Sequence, residues 1–169
     1  MGRISLEQLA AAIHVVATLD LQQKEQRIDA IHVRQPHLLA SCLAQSGLGA
    51  DLTAVEMLLQ LLLVCDQAMQ ASGLQWPLIS QDAQAQQLER TAAQIRFSEE
   101  IQDPKSSEAA RAQLVNQHPE QPLLAFAIHE AQAWLQDRAQ QHLEAEADKY
   151  VLLCAVNLVN CIAYANAGG

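Results

Sequence analysis

The chain has 169 residues and a formal net charge of −9; half of its residues are hydrophobic and only 4% are aromatic. This apolar content is enough for one packed domain and disfavours a disordered chain. Nineteen acidic residues outnumber ten Lys and Arg residues, which are scattered singly, whereas nucleic acids and anionic membranes are bound through clustered cations. We therefore expect a soluble, acidic protein with an aliphatic core, no nucleic-acid partner and no membrane partner.

Apolar residues recur at helical spacing along most of the chain, and the alternation typical of half-buried strands is nearly absent. The pattern predicts an all-α bundle of about eight helices, over residues 5–17, 20–33, 36–45, 53–71, 81–102, 106–117, 122–140 and 144–166. No Gly or Pro occurs from 123 to 166, so the last two segments could form one rod. We place a break in DRAQQHLEAEAD (137–148), because a single helix of about 65 Å could not bring its own apolar ends together.

Helix starts are marked by Ser, Asp or Thr followed three residues later by Gln or Glu, the spacing of a capping box. The three pairs are Ser5 with Gln8, Asp20 with Gln23, and Thr53 with Glu56. The first helix is expected to bury one stripe of apolar side chains at helical spacing. That stripe consists of Leu6, Leu9, Ala10, Ile13, Val16 and Ala17.

Two helices are apolar on every side, which predicts that each is surrounded by other helices. They contain VEMLLQLLLVC (55–65) and YVLLCAVNLVNCIAYA (150–165). Both runs fall short of the roughly 18–20 apolar residues of a membrane span and both carry interior amides. We expect them to be central core helices, packed against each other or against LLASCLA (38–44) and LLAFAI (123–128).

The two halves of the chain share a weak internal similarity. LEQLAAAI (6–13) and LERTAAQI (88–95) agree at five of eight positions, and a Gln-Pro-led helix and a Cys-containing apolar helix then follow in each half. We predict one helical domain over 1–169, built from two related four-helix halves, 5–73 and 87–167, joined by 74–86. Chance similarity in an Ala-, Gln- and Leu-rich composition is the alternative.

The four cysteines, Cys42, Cys65, Cys154 and Cys161, lie in apolar helical segments and form no CxxC or zinc-site spacing. Cys154 and Cys161 are about 10 Å apart along one helix, too far for a disulfide. Free thiols that pack as small hydrophobic groups are expected. They suit a reducing compartment, and MGRISLEQ contains no apolar signal segment, so we expect a cytoplasmic protein.

Residues for catalysis or metal binding are sparse. The His/Glu pairs on predicted helices are His129 with Glu130 and His142 with Glu146. A di-iron bundle needs Glu-x-x-His on two helices, and that motif does not occur in this sequence. We therefore predict no catalytic, cofactor-binding or metal-binding residues. Whether the protein is an enzyme stays open, with a non-enzyme favoured.

Two features remain as a possible interface or pocket. Asn157 and Asn160 share one face of the most apolar helix, with Tyr164 one turn further on. Burying an amide costs free energy unless it is hydrogen-bonded, and a buried amide in a helix interface can determine the register of the helices or the choice of partner. The alternative is that this face of the helix reaches solvent. Trp76, in the segment that joins the halves, is either packed as a structural joint or exposed as an interface anchor.

The sequence therefore favours a non-enzymatic, soluble helical protein that acts through protein–protein interaction, as an adaptor or regulator. Its partner would be another protein or a second copy in a homodimer. One alternative is a small-molecule sensor with an apolar pocket between the halves, near the three polar residues and the tryptophan just named. A second alternative is a helical metalloenzyme that uses the two His/Glu pairs.

Overall fold

The computed structural model describes residues 2–166 and Gly168, without the side chains of Ser98 and Glu99. Over these residues the fold is all-α, which confirms the predicted bundle of about eight helices. The helices are α1 (Leu6–Thr18), α2 (Leu21–Arg34), α3 (Pro36–Leu43), α4 (Leu52–Ala71), α5 (Gln81–Glu100), α6 (Pro104–Asn116), α7 (Gln121–Gln140) and α8 (Asp148–Ala163). A 3-10 turn, Ala44–Leu48, follows α3. Ala167, where the predicted second half ends, lies outside the described residues.

Two of the three predicted capping boxes are confirmed. The Gln8 backbone N–H donates to Ser5 Oγ at 3.1 Å, and the Ser5 N–H donates to the Gln8 side chain at 2.9 Å. Asp20 and Gln23 make the same reciprocal pair at the start of α2. These side chains satisfy backbone donors that have no partner within the helix, so the helices begin where the sequence predicts.

The third capping prediction, Thr53 with Glu56, is wrong. Helix α4 is capped by Asp51, whose carboxylate accepts from the Ala54 N–H at 3.0 Å and from the Thr53 hydroxyl at 2.7 Å. A carboxylate also interacts favourably with the positive end of the helix dipole, which explains why Asp51 takes the cap in preference to the neighbouring hydroxyl.

The predicted break between the last two helices is confirmed, although α8 begins at Asp148, later than expected. The Leu143 N–H donates to the Arg138 carbonyl at 2.9 Å, and the His142 N–H donates to the Ala139 carbonyl at 3.2 Å. This pair of bonds is a Schellman motif, which ends α7. It places His142 in the left-handed region with φ 55°, a position that usually holds glycine.

Helices α4 and α8 form the centre of the bundle, as predicted. They contact each other, and both also contact α3 and α7. Helix α1 covers another side of α4, and α5 covers another side of α8. Fully buried members of this centre include Leu58, Leu61, Leu62, Val151, Leu158 and Ile162.

Among the described helices, α4 alone is long and apolar enough to cross a membrane by length and composition. Inside the protein, however, 61% of the most apolar 18-residue stretch of α4 is buried. A core helix of a soluble protein has this property, and the packing of α4 between α1, α3, α7 and α8 accounts for it.

The expected stripe of α1 is only partly correct. Leu9, Ala12 and Val16 are buried, and Ile13 is half-buried. The prediction was wrong for Leu6, Ala10 and Ala17, which are exposed. Ile4, which precedes the N-cap, is only 1% exposed and fills the core beside the first turn, so Leu6 is not needed there.

The helix contacts of the two halves correspond. Contacts between α1 and α4, α2 and α3, and α3 and α4 recur as contacts between α5 and α8, α6 and α7, and α7 and α8. Helix α5 begins inside the segment 74–86 that was predicted to join the halves. The correspondence agrees with a duplication, which stays a prediction.

Gln35 and Glu120 add a reciprocal contact between the halves. Gln35 precedes α3 with φ −138° and ψ 61°, and Glu120 precedes α7 with φ −116° and ψ 60°. Gln35 Oε1 accepts from the Ile79 N–H at 3.0 Å, just before α5. Glu120 Oε2 accepts from the Ile4 N–H at 3.3 Å, just before α1. Each half therefore holds the entry to the first helix of the other.

Candidate functional site

A cleft of about 440 Å³ lies among α5, α6, α7, α8 and the turn between α6 and α7. This α5–α8 cleft falls in the size range of small-molecule sites, roughly 300–1,000 Å³. Its apolar walls are Ile95, Leu114, Val115, Leu124, Ile128 and Val156. Its polar lining consists of Gln87, Arg90, Thr91, Gln94, Arg111, Gln117, His118, Asn160 and Tyr164.

A chain of hydrogen bonds crosses the floor of the cleft. The Asn160 side-chain amide donates to Thr91 Oγ1 at 2.7 Å, and the Thr91 hydroxyl donates to the Gln87 carbonyl at 2.8 Å. The Asn160 amide oxygen lies 2.8 Å from His118 Nε2. Asn160 and Thr91 are only 7% and 4% exposed, so this network is paired within the core rather than by water. Pairing removes the cost of burying the amide.

The tautomer of His118 follows from its two partners. The Glu120 backbone N–H points at His118 Nδ1 at 3.1 Å, and a backbone N–H can only donate. Nδ1 is therefore the acceptor, and Nε2 carries the proton that is donated to the Asn160 oxygen. Both ring nitrogens are thus used within the fold.

Two arginines stand at the outer edge of the cleft. The guanidinium of Arg90, on α5, lies over the Tyr164 ring at 4.4 Å, and Arg111 enters from α6. Both are exposed, and the salt bridges of the described residues include neither of them. The described cleft lining contains no Asp or Glu. The mouth of the cleft is therefore cationic in a protein whose net charge is −9.

Gln87 leaves one polar atom of the cleft unsatisfied. Its side-chain oxygen is buried and has no hydrogen-bond partner among the described residues. An unmade hydrogen bond at a buried acceptor costs roughly 1–3 kcal/mol. A donor group on a bound molecule would relieve that cost.

Of the four residues singled out from the sequence, Asn160 and Tyr164 meet in the cleft. Asn157 is 9% exposed and lines a smaller neighbouring cavity of about 200 Å³. Its amide donates to the Gln84 carbonyl at 3.1 Å, and its buried oxygen has no partner in the described part of the chain. The two asparagines are therefore buried, and the alternative in which their face reaches solvent is not the one observed.

Trp76 lies away from the α5–α8 cleft, beside the carboxyl end of α4. Its indole N–H donates to the Met69 carbonyl and to Ser72 Oγ, both at 3.0 Å. The Arg3 guanidinium covers its ring at 4.7 Å. Trp76 is thus half-buried against the end of α4, within the segment 74–86.

The polar residues of the cleft that the sequence did not single out are Gln87, Arg90, Thr91, Gln94, Arg111, Gln117 and His118. Arg90 and Thr91 are part of LERTAAQI, which drew attention only as an internal similarity. No local signal marks the group, because its members come from α5, α6 and the α6–α7 turn. The one usable signal was the presence of a polar side chain, Asn160, within a helix that is otherwise apolar.

A thiol pair lies beside the smaller cavity, between α3 and α8. The Cys154 thiol donates to the Ser41 carbonyl at 3.7 Å, and the neighbouring Cys42 thiol lowers the pKa of Cys154. Interaction with Cys154, together with burial, raises the pKa of Cys42 well above its ordinary value. Burial raises the pKa of Cys65 to about 12. All four cysteines are free and buried, as expected.

The His/Glu pairs do not form a metal centre. In the described part of the chain, no group of three or more His, Cys, Asp or Glu side chains is placed to hold a metal ion. His129 and His142 are exposed.

No protein-family model, no curated protein and no solved structure matches this chain, so the geometry of its own residues carries the functional argument.

Proposed function

We propose that the protein is a non-enzymatic binding protein or sensor that takes a small, largely apolar molecule into the α5–α8 cleft. The observation that carries this proposal is a cleft of about 440 Å³ with aliphatic walls and a paired polar floor. Preformed sites with mostly apolar walls and a few placed polar groups are typical of small-molecule binding. The reduced thiols favour a cytoplasmic location.

The hydrogen bonding of His118 favours binding over catalysis. A general base needs a free lone pair within reach of the substrate proton. The Nδ1 lone pair of His118 is occupied by the Glu120 N–H, and its Nε2 proton is held by Asn160. The two ring nitrogens of His118 therefore hold the α6–α7 turn against α8.

A neutral fluorescent probe, N-phenyl-1-naphthylamine, tests the proposal. Its emission should rise on binding to the protein and should saturate at one probe per chain. Val156→Phe places a larger side chain in the cleft and should weaken probe binding by about tenfold or more, since a filled pocket cannot take the ring system.

The matched control is Leu59→Phe. Leu59 is half-buried on α4 and lines a depression of about 710 Å³ between α2 and α4, whose rim is mainly acidic. This variant should bind the probe as the parent protein does. Equal binding by all three folded proteins, or no binding by any of them, would contradict the proposal.

A second candidate function is protein binding, to a different protein or to a second copy. The observation that favours it is the exposed tip of the α5–α6 pair. Phe97 is 66% exposed and lines an adjoining depression with Ala93, Ala110 and Leu114. Exposed aromatic side chains in an apolar setting are typical interface anchors. Light scattering of the parent protein and of Phe97→Ser tests it: a dimer that Phe97→Ser dissociates supports self-association, and a monomer at all concentrations opposes it.

A further inference from the structure

We infer that the α5–α8 cleft is selective for an amphipathic carboxylate, with its anionic head between Arg90 and Arg111 and its aliphatic part among Leu124, Ile128 and Val156. This inference rests on the proposed function and adds the chemical class of the ligand. The gradient of burial gives the orientation. Arg90 and Arg111 are exposed at the mouth, whereas Leu124 is only 6% exposed at the inner end.

The salt bridges of the less exposed arginines support an anionic head. Arg3, Arg34 and Arg138 each form a salt bridge with a carboxylate of the fold, whereas Arg27 bonds the Gln67 side chain and Arg96 the Ala92 carbonyl. No salt bridge of the described residues involves Arg90 or Arg111, although the chain carries nine more acidic than basic residues. Two guanidinium groups on facing helices offer the forked donors that carboxylates accept.

The stacking of Arg90 on Tyr164 supports the same placement. A guanidinium held over a ring at 4.4 Å keeps its edge N–H groups available to a ligand. The stack also reduces the rotamer freedom that would otherwise be lost on binding.

The interior of the cleft favours an aliphatic body over an inorganic anion or a nucleotide. At the floor, the Asn160 amide already donates to Thr91, and His118 Nε2 donates to the Asn160 oxygen. Phosphate sites instead present several free backbone N–H groups. The buried Gln87 oxygen adds one acceptor, which suits a hydroxyl or amide N–H near the head of the ligand.

The depression between α2 and α4 carries the opposite charge. Its lining contains Glu25, Asp29 and Glu56 against Lys24. No buried polar side chain lines it in the described structure. An anionic amphiphile is therefore expected to choose the α5–α8 cleft.

The test compares decanoate, decanol and decylamine, which share one chain length and differ in the head group. Each is titrated against bound N-phenyl-1-naphthylamine below its micelle-forming concentration. Decanoate should displace the probe at about tenfold lower concentration than decanol, and decylamine should be the weakest, because the mouth is cationic. Added salt should weaken decanoate binding and leave decanol unchanged.

Charge variants assign the head group to its site. Arg90→Gln with Arg111→Gln should bring decanoate to within about twofold of decanol, because the loss of binding falls mainly on the carboxylate. Arg96→Gln is the matched control, because Arg96 is exposed on the same helix, does not line the cleft and bonds only the Ala92 carbonyl of its own helix among the described residues. It should retain the preference for decanoate.

The outcomes separate this inference from the proposed function. If decanol binds and Val156→Phe abolishes that binding, but decanoate binds no more tightly, the carboxylate inference is wrong and the cleft remains a binding site. A preference for decanoate that survives the double arginine variant also overturns the inference. If none of the three compounds displaces the probe, and the probe itself does not bind, both fail.

Discussion

Asn160 and His118 are hydrogen-bonded at 2.8 Å, and this contact ties the central helix α8 to the turn between α6 and α7. The same amide donates to Thr91 on α5, so one side chain joins three segments at the floor of the cleft. The positions of the wall helices around the cleft depend on this one amide.

Asn160→Ala should lower the free energy of unfolding by about 2–4 kcal/mol, because it leaves Thr91 Oγ1 without a donor and the His118 Nε2–H without an acceptor. Urea unfolding followed by circular dichroism measures the change. Asn166→Ala, at an exposed position near the carboxyl end, is the control and should be neutral. A loss below about 0.5 kcal/mol for Asn160→Ala would show that the network carries little stability.

His142→Gly should stabilise the protein by roughly 1 kcal/mol, because His142 holds the left-handed position of the Schellman motif at φ 55°. The shift in the thermal unfolding midpoint shows whether His142→Gly is more or less stable than the parent protein. His129→Gly, in the interior of α7, should instead destabilise by about 1 kcal/mol. If both variants destabilise equally, the termination of α7 differs from the one described.

Asp51 should make the protein sensitive to acid. Hydrogen bonds from Arg138 and Thr53 lower the pKa of Asp51 from 3.8 to about 2 in the folded state. A lowered folded-state pKa adds stability that is present above the unfolded value and is lost as the pH falls from near 3.8 toward 2. Because Asp51 is largely exposed, solvent screening reduces its contribution to about 1 kcal/mol.

Asp51→Asn should remove that part of the pH dependence and lower stability at pH 6. Urea unfolding at pH 6, 4 and 2.5 measures the change in stability. Asp82→Asn is the control, because Asp82 lies in the first turn of α5 and forms no salt bridge with Arg138. An unchanged slope between pH 4 and 2.5 in Asp51→Asn would contradict the assignment.

Cys154 should be the first cysteine to react under native conditions. The thiolate is the nucleophile, and the neighbouring Cys42 thiol lowers the pKa of Cys154, whereas burial raises the pKa of Cys65 to about 12. Cys154 also lines the cavity of about 200 Å³, which gives a small reagent access. Iodoacetamide labelling with peptide mass spectrometry should show modification at Cys154 before Cys65. Cys42→Ser should change the labelling rate at Cys154 and leave the labelling rate at Cys65 unchanged. Labelling of Cys65 before Cys154 would refute this order of reactivity.

Much of the fold could be predicted from local patterns. Capping boxes at Ser5 and Asp20 located two helix starts, because the bonds involve residues three apart. The all-round apolar character of α4 and α8 predicted that they lie at the centre. The break before Asp148 was also foreseen, but its Schellman cap was not, because histidine stands where glycine is usual.

The candidate site could be predicted only in part, because its contacts are long-range. Asn160 meets Thr91 across 69 positions and His118 across 42, and no periodicity reports such pairings. Arg138 illustrates the same limit. Within DRAQQHLEAEAD it looks like a solvated residue, yet it is 4% exposed and pairs with Asp51, 87 positions away.

The most direct test of a binding cleft in the second half is a site-resolved titration. Decanoate is added to ¹⁵N-labelled protein, and amide chemical shifts are followed by NMR. Saturable shifts at Thr91, Ile128, Val156 and the Asn160 side-chain amide, absent in Val156→Phe, are the predicted result. Shifts confined to α2 and α4, or no saturable shift at all, would contradict it.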